Sequence, residues 1–489
     1  MIYAGLDVGT TNCKITIFED YLQKDSFSLA YDSKRDETGH EIDASLVYET
    51  VLNVISKATN KYPLIKAIGI TSFGETFVLL DEDDNILFKS MLYSDPRGDK
   101  EAKLLEEIIG KEKLGKITGQ IGQGMFSLPK IMYIKNNYPD ILKKVNKILL
   151  MEDYIVYKLT NVRQIDYSLA SRTLCFDVNE KCWSKEILSK VNIDANLFSK
   201  PVKTGSIASN IKDSLKEKLN LKNDVLIINI AHDQIANAIG ANVYDYKSAV
   251  DGCGTCECIA INFKDIPKSN ILYEKGYGIV PYVNENSKVC YSLITTGGAL
   301  IKWVIDTYFT DLKDNPNIYD ILNKNVNDKP TDVLILPHFA GASTPYMDVF
   351  AKGSIINLTL ATTRFEIYQA VLESLCYEMK ISLDILKSIG IGIDKLYVTG
   401  GGAINDTWLQ MKADIFNINV YQLENLNSGT IGSAIVVGTT LKLFKDFKEG
   451  QEKLIKIKKV FTPNASKHQK YLMQYKKYKK LYELLKEVR

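Results

Sequence analysis

Leu6-Asp7-Val8-Gly9-Thr10-Thr11-Asn12, followed by the run from Lys14 to Phe18, reads as a strand, a tight polar turn and a second strand. Gly9 lets the backbone bend with φ > 0, and the amides that follow can converge on an anion. Thr10 and Thr11 add two hydroxyls. The Asp7 carboxylate can hold a hard cation such as Mg²⁺, which prefers one or two carboxylates together with phosphate and water. An ordinary β-hairpin uses the same turn-favouring residues. Taken alone, the stretch leaves a phosphate loop and a plain hairpin evenly matched.

A second copy breaks the tie. Val250-Asp251-Gly252-Cys253-Gly254-Thr255 again runs from an apolar approach through an Asp to a Gly-Thr turn, and an apolar strand leaves it at 258–263. The two aspartates lie 244 positions apart, half of 489 residues. A repeat at half-length points to two domains of one topology, each carrying a phosphate-binding hairpin.

A chain of this length is too long for one core and divides into two domains of ordinary size. With 45% hydrophobic and 25% charged residues it has the make-up of a soluble globular protein. A net charge of +2 supplies no field for nucleic acid. No uncharged apolar run is long enough to span a bilayer, and the N-terminus enters a strand without a basic leader. The expectation is a cytoplasmic protein. Eight scattered cysteines suit a reducing compartment. Cys253, Cys256 and Cys258 lack a fourth ligand nearby, so a small buried thiol in the hairpin explains them better than zinc does.

Along the chain, short apolar strands are expected at 26–31, 65–70, 77–80 and 225–230. Helices are expected at 43–58, 100–109, 128–137 and from Gln234. This alternation is that of an α/β protein. The second half repeats it, with strands at 248–250, 258–263, 278–283, 289–293, 333–337 and 395–398, and helices at 300–307 and 408–415. Thr363 and Glu366 form a capping box at the head of a long helix. The Tyr- and Lys-rich tail from Gln469 reads as a helix docked by its Tyr/Leu stripe, with its lysines in water. A domain boundary falls near 241–247.

Ile228-Asn229-Ile230-Ala231-His232-Asp233-Gln234 places an Asp where a buried strand turns into a helix. Ligands collect at such carboxyl ends of α/β sheets, although a helix-capping Asp sits there equally well. Thr399-Gly400-Gly401-Gly402-Ala403, with Asn405, follows a strand and lets backbone approach a flat base or a phosphate. It has neither the Rossmann spacing nor a Walker Lys.

Together these stretches resemble the FGGY carbohydrate kinases, xylulokinase- and glycerol kinase-like members of the actin-like ATPase superfamily. Residues 6–11 are similar to the family's first phosphate motif, 251–255 to the second, and 398–405 to the adenosine motif. Residues 125–137 resemble the N-terminal family signature, with Tyr133 where Trp is usual. Residues 353–373 resemble the C-terminal signature, with Asn357 replacing a usual Gly. Residues 336–348 resemble a further loop of the second domain.

The resemblance implies two actin-like (ribonuclease H-like) α/β domains, 1–244 and 245–489, with a nucleotide and sugar cleft between them. It implies ATP and Mg²⁺ as cofactors. It implies Asp233 as general base for a sugar hydroxyl attacking the γ-phosphorus, with Asp7 and Asp233 as the metal-side carboxylates. Gly9, Thr10, Thr11, Lys14, Gly254, Thr255, Gly400, Gly401, Gly402, Ala403 and Asn405 would serve the nucleotide. Lys14 reads equally as a solvated hairpin charge. Glu75, Tyr93, Asp95, Arg97 and Gln234 would face the acceptor, although Glu75 can instead pair with a nearby cation and Asp95 with Arg97. Glycerol kinases carry Arg-Glu and xylulokinases Met-His where this chain has Gly74-Glu75, so the acceptor stays open among ketoses such as xylulose and polyols. The expected partner is that small molecule, with no nucleic acid and no membrane, and a homodimer is one assembly open to the chain. The alternative function is an actin-like ATPase, or a sugar-sensing relative without kinase activity.

Overall fold

The computed structural model describes residues 1–284 and 286–488. Glu285 and Arg489, both inside the expected 245–489 domain, lie outside the described residues. Contacts group the chain into two compact units. The first comprises Met1–Gly240, Ile279–Lys288 and Asn427–Ile455; the second comprises Ala241–Gly278, Val289–Leu426 and the residues from Lys456 onward. A single cut between 244 and 245 does not describe these contacts, because the chain returns to the first unit at Asn427.

In the first unit the opening hairpin forms as read, except that Gly9 turns without the positive φ expected of it. Ile2–Val8 and Asn12–Glu19 pair antiparallel, with Asp7 opposite Lys14. Leu22–Ala30 extends the sheet on one side. On the other, Ala67–Ser72 and then Leu226–His232 join in parallel, and Ile207–Asn210 closes the edge antiparallel. Ala4, Leu6 and Val8 enter a core that includes Val47, Val51 and Ile55 of the helix Ala44–Lys61. Gly5, between them, lies against Ser433 of the helix Ser428–Thr440. Successive strand residues point to opposite faces, so the two helices cover opposite faces of the sheet. That double cover is why the parallel strands are largely apolar and buried on both faces rather than alternating. It is also why 427–455 belongs here: Ile431, Ala434, Ile435 and Val437 are buried, and this apolar helix has the first sheet to cover. A second core of this unit gathers Leu105, Leu114, Leu128 and Ile131 from the helices Asp99–Ile109, Lys111–Thr118 and Ser127–Asn137.

The second unit repeats the plan. Ser248–Cys253 and Glu257–Phe263 form the antiparallel hairpin. Lys395–Thr399 and Asn419–Leu423 join in parallel, and Ile457–Phe461 closes the edge antiparallel. Lys288–Ile294 flanks Glu257–Phe263 on the other side. From the closing edge strand through the hairpin, the order and direction of five strands match those of the first unit, so the half-length repeat is a repeat of topology; beyond Lys288–Ile294 this sheet adds Ile279–Pro281. The closing edge strand precedes its neighbour in the first unit and follows it in the second. The helix Arg364–Ser388 opens on the expected capping box, with Thr363 N donating to Glu366 Oε2 at 2.8 Å and Glu366 N to Thr363 Oγ1 at 3.2 Å. The tail helices Ala465–Tyr478 and Leu481–Lys486 bury Tyr471, Tyr475, Tyr478 and Tyr482, as the docked-helix reading expects. No helix among the described residues is long and apolar enough to cross a membrane.

The helices Asp233–Gly240 and Ser428–Thr440 cross at two glycines. A Cβ on Gly432 would fall 1.9 Å from Ala236 O, and one on Gly240 would fall 1.8 Å from Ser428 O. Only a hydrogen fits at this crossing. Gly432→Ala is therefore predicted to cost about 3 kcal/mol, measured as a lower urea midpoint; an unchanged midpoint would contradict the close approach.

Candidate active site

Three parallel strands of the first unit end side by side. Asp7 lies opposite Thr71, Val8 opposite Ser72, and His232 opposite Ser72. This register sets Asp7, the segment following Ser72 and Asp233 along one edge of one sheet, the carboxyl edge where α/β folds bind ligands.

The 9–12 turn is tightly tied. Gly9 N donates to Asn12 O at 2.9 Å, Tyr31 N to Thr11 O at 3.0 Å, and the Tyr31 hydroxyl to Gly9 O. Thr10 is half-buried and Thr11 exposed. Burial pushes Asp7 up to about 6, with Lys14 opposing the shift. Lys14 Nζ also donates to Asn427 Oδ1 at 3.0 Å. That bond holds the lysine to the loop leading into the helix Ser428–Thr440.

Asp233 is the first residue of the helix Asp233–Gly240, and its side chain is one-third exposed. Burial, then the like charges of Asp7 and Glu75, push it up to about 7. Its Oδ1 lies 3.2 Å from His232 Nε2 yet receives no hydrogen bond of good geometry among the described residues. Burial, with Arg172 adding to it, holds His232 well below the usual histidine value, so the ring is neutral. The strand end is fixed from below. His232 N donates to Ser168 Oγ at 2.9 Å, and Ser168 Oγ donates in turn to the buried Asp166. Two repelling carboxylates, one with an orphaned buried oxygen, form a donor set that a hard divalent cation would satisfy. Asp7 and Asp233 therefore fit Mg²⁺ chemically.

Glu75 adopts φ +62° and is 4% exposed. A carboxylate so deeply buried needs a partner, and Arg172 supplies it. Arg172 Nε donates to Glu75 Oε1 at 2.6 Å, and a second guanidinium nitrogen bridges the same oxygen. The guanidinium also lies 4.9 Å over the Phe126 ring. Ser127 Oγ donates to the Glu75 carbonyl at 2.7 Å, tying the 125–137 signature to this segment. Gln234, next to Asp233, is half-buried.

Asp95 and Arg97 pair with each other, the structural one of their two readings. Arg97 Nε reaches Asp95 Oδ1 at 2.9 Å, its terminal nitrogen reaches Asp95 Oδ2 at 2.6 Å, and Glu41 joins at 2.7 Å. His40 N donates a further bond to Asp95 Oδ2 at 2.8 Å. Tyr93, on the same loop, is exposed. Fully buried Lys130 is lowered to about 8 by burial, opposed by Glu75 and Asp95, and donates to Leu92 O and Met125 O. It thereby binds the Asp95 loop to the signature helix. Arg172 was missed in the sequence. The available signal was the scarcity of arginine in a lysine-rich chain, the same signal that singled out Arg97.

In the second unit Gly254, Thr255 and Cys256 form an exposed turn, whereas Cys253 and Glu257 on either side are buried. The helix Gly297–Tyr308 starts on this turn, with Gly298 N donating to Gly254 O at 2.9 Å and Ala299 N to Thr255 O at 3.1 Å. Gly400 takes φ +82°, and a Cβ there would meet Cys253 O at 2.7 Å. Gly401 is exposed and Gly402 half-buried. Ala403 is buried, its carbonyl accepting from Gln422 Nε2 at 2.7 Å. Asn405 caps the helix Asp406–Phe416 by accepting from Trp408 N at 3.1 Å. Cys253, Cys256 and Cys258 do not gather as ligands: the close group among the described residues is Asp251, Cys253 and Glu257.

The N-terminal domain model of the FGGY family of carbohydrate kinases matches residues 2–240, and its C-terminal domain model matches residues 253–441. A xylulose kinase of Staphylococcus xylosus is 26% identical, over 98% of this chain and 99% of its own. A glycerol kinase of Streptococcus pyogenes is 28% identical, over 90% of this chain and 88% of its own. The ligand-bound xylulose kinase from Lactobacillus acidophilus shares the fold, with a TM-score of 0.92 at 23% identity, over 99% of this chain and 98% of that one.

The Glu75–Arg172 pair yields a stability prediction. Arg172→Met strands a buried carboxylate and should cost about 3–5 kcal/mol, whereas Glu75→Gln combined with Arg172→Met strands no charge and should recover most of that loss. Urea unfolding of both variants checks this, and a single variant as stable as the unsubstituted chain would refute it.

Proposed function

Because the chain belongs to the FGGY family of carbohydrate kinases, and so transfers a phosphoryl group from ATP to a sugar hydroxyl, we propose that Asp233 is the general base and that the acceptor is a ketose of the xylulose type. The observation that carries the first half is the state of Asp233. It is a carboxylate at a strand-to-helix junction, with an unbonded oxygen and an affinity for protons raised by Asp7 and Glu75. A base works best when its pKa lies near the working pH. Asp233 would align the hydroxyl on the γ-phosphorus and take its proton as the new O–P bond forms and ADP leaves. Phosphoryl transfer needs mainly such alignment together with charge neutralisation.

Asp7 and Asp233 would hold Mg²⁺, which when bound offsets the charge of the transferring phosphates. Thr10, Thr11 and Lys14 would bind phosphate oxygens, as would Gly254 and Thr255. Gly400, Gly401 and Gly402 would lie along the adenosine, with Ala403 and Asn405 shaping that loop from behind. Glu75 and Gln234 would accept and donate to acceptor hydroxyls. The Asp95–Arg97 pair would hold the loop that carries Tyr93. A cytoplasmic site of action follows from the use of ATP and small sugars.

The relatives named xylulose kinase support a ketose. A polyol is the second reading, supported by the pairing of Arg172 with Glu75: the Arg-Glu combination typical of glycerol kinases is assembled here from two distant segments.

Two measurements test the reading. ADP release is followed across ketoses, aldoses and polyols, and turnover above basal hydrolysis is expected with a ketose. Turnover with glycerol alone would select the second reading, and no stimulation by any acceptor would overturn both. Asp233→Asn is expected to lower kcat by about 10²–10⁴-fold with ATP affinity unchanged. Weakened ATP binding with chemistry retained would remove Asp233 from the role of base.

A further inference from the structure

We propose that Lys412 is a positioning residue that clips the phosphate hairpin of the second unit to its glycine loop, so that the two loops meet the nucleotide as one rigid body. The inference rests on the reading above, in which both loops face ATP.

Lys412 lies on the helix Asp406–Phe416, which follows directly from the Gly400–Gly402 loop. Its side chain is 0% exposed. The ammonium donates to Asp251 Oδ2 at 2.6 Å and to Glu257 Oε1. Those carboxylates sit on the two arms of the hairpin, Asp251 on Ser248–Cys253 and Glu257 on Glu257–Phe263. Lys412 also stands 4.2 Å over the Trp408 ring. Burial alone would lower this lysine, but Asp251, Cys253 and Glu257 around it hold it well above its usual value. It is therefore charged. Glu257 is raised by burial and by Asp251, against Lys412. A proton on Glu257 would leave the triad neutral overall. With Lys412 in place, the Asp251, Cys253 and Glu257 group has a resident cation and needs no metal.

Buried ion clusters rarely stabilise a fold more than apolar residues of the same volume. This one needs another reason, and its position supplies one. Backbone pairing already sets Gly252 opposite Thr399. A Cβ on Gly402 would fall 2.7 Å from Cys253 Cβ and 2.6 Å from the Trp408 ring. The hairpin, the glycine loop and the helix thus meet at Cys253, with Lys412 beneath the junction. Without the lysine, this packing and the pairing of the two strands would be left to hold the exposed 254–256 turn to the glycine loop.

The test measures ATP KM, acceptor KM, kcat and amide hydrogen exchange for the full chain and its variants. Glu257→Gln matches the protonated acid in shape and keeps Lys412 on Asp251. It is expected to raise ATP KM about threefold to tenfold, leave acceptor KM within about twofold, and speed exchange at 252–257 and 400–405 together. The neutral triple variant Lys412→Met/Asp251→Asn/Glu257→Gln strands no charge. It is expected to be as stable as the unsubstituted chain while keeping the raised ATP KM. A merely structural cluster would lose the KM effect once stability returned. Gly401→Val, whose Cβ meets open space, checks the underlying reading and is expected to raise ATP KM at least about tenfold by blocking the base or phosphate. If Gly401→Val does so while Glu257→Gln and the triple variant leave ATP KM and loop exchange unchanged, the clip is overturned. If Gly401→Val leaves ATP KM unchanged, the glycine loop does not face the nucleotide, and the proposal fails for that separate reason.

Discussion

Parallel pairing of Ile2–Val8 with Ala67–Ser72, and of that strand with Leu226–His232, is the constraint on which the first unit depends. A one-residue slip would turn every side chain to the other face. Leu6 and Val8 would leave the core, and Asp7 would leave the edge it shares with Asp233. Register therefore sets hydrophobic burial and the geometry of the candidate site with the same hydrogen bonds. The Gly432 crossing acts on the same point from outside, since it lets the helix that starts at Asp233 lie against Ser428–Thr440.

Charge is handled by a second constraint, that of keeping buried ions paired. Glu75 with Arg172 in one unit, and Asp251 and Glu257 with Lys412 in the other, are deeply buried and paired with cations far away in sequence. Asp233 differs in its surroundings. Burial, then its neighbours Asp7 and Glu75, raise its proton affinity, and its Oδ1 lacks a good donor among the described residues. What separates Asp233 from Asp251 is the neighbouring charge: Asp251 has the buried Lys412, whereas Asp7 and Glu75 add like charge at Asp233.

Much of the fold was legible because its signals are local. The hairpin at 6–18, its copy at 250–263, the Thr363–Glu366 capping box and the Tyr-striped tail all follow from period, turn residues and caps, which act over a few residues. The family resemblance, rooted in the same segments, agrees with the matched domain models. The contact division at 427–455 was not legible, because an apolar helix does not declare which of two similar sheets it will cover. Arg172 and Lys412 escaped for a related reason. A basic residue in a lysine-rich chain looks like solvated surface until the acids it neutralises are found in space.

The sequence by itself determined the fold class, the duplicated hairpins, the glycine loop and the position of Asp233 at a strand-to-helix junction, all properties of continuous segments. Only the tertiary structure decided that Asp95 and Arg97 are bound to each other, that Glu75 answers to Arg172, that Asn405 caps a helix, and that Lys412 bridges both arms of a hairpin. Those outcomes depend on which buried charge finds which counter-charge. Long-range packing sets that choice, because desolvation makes every unpaired alternative costly.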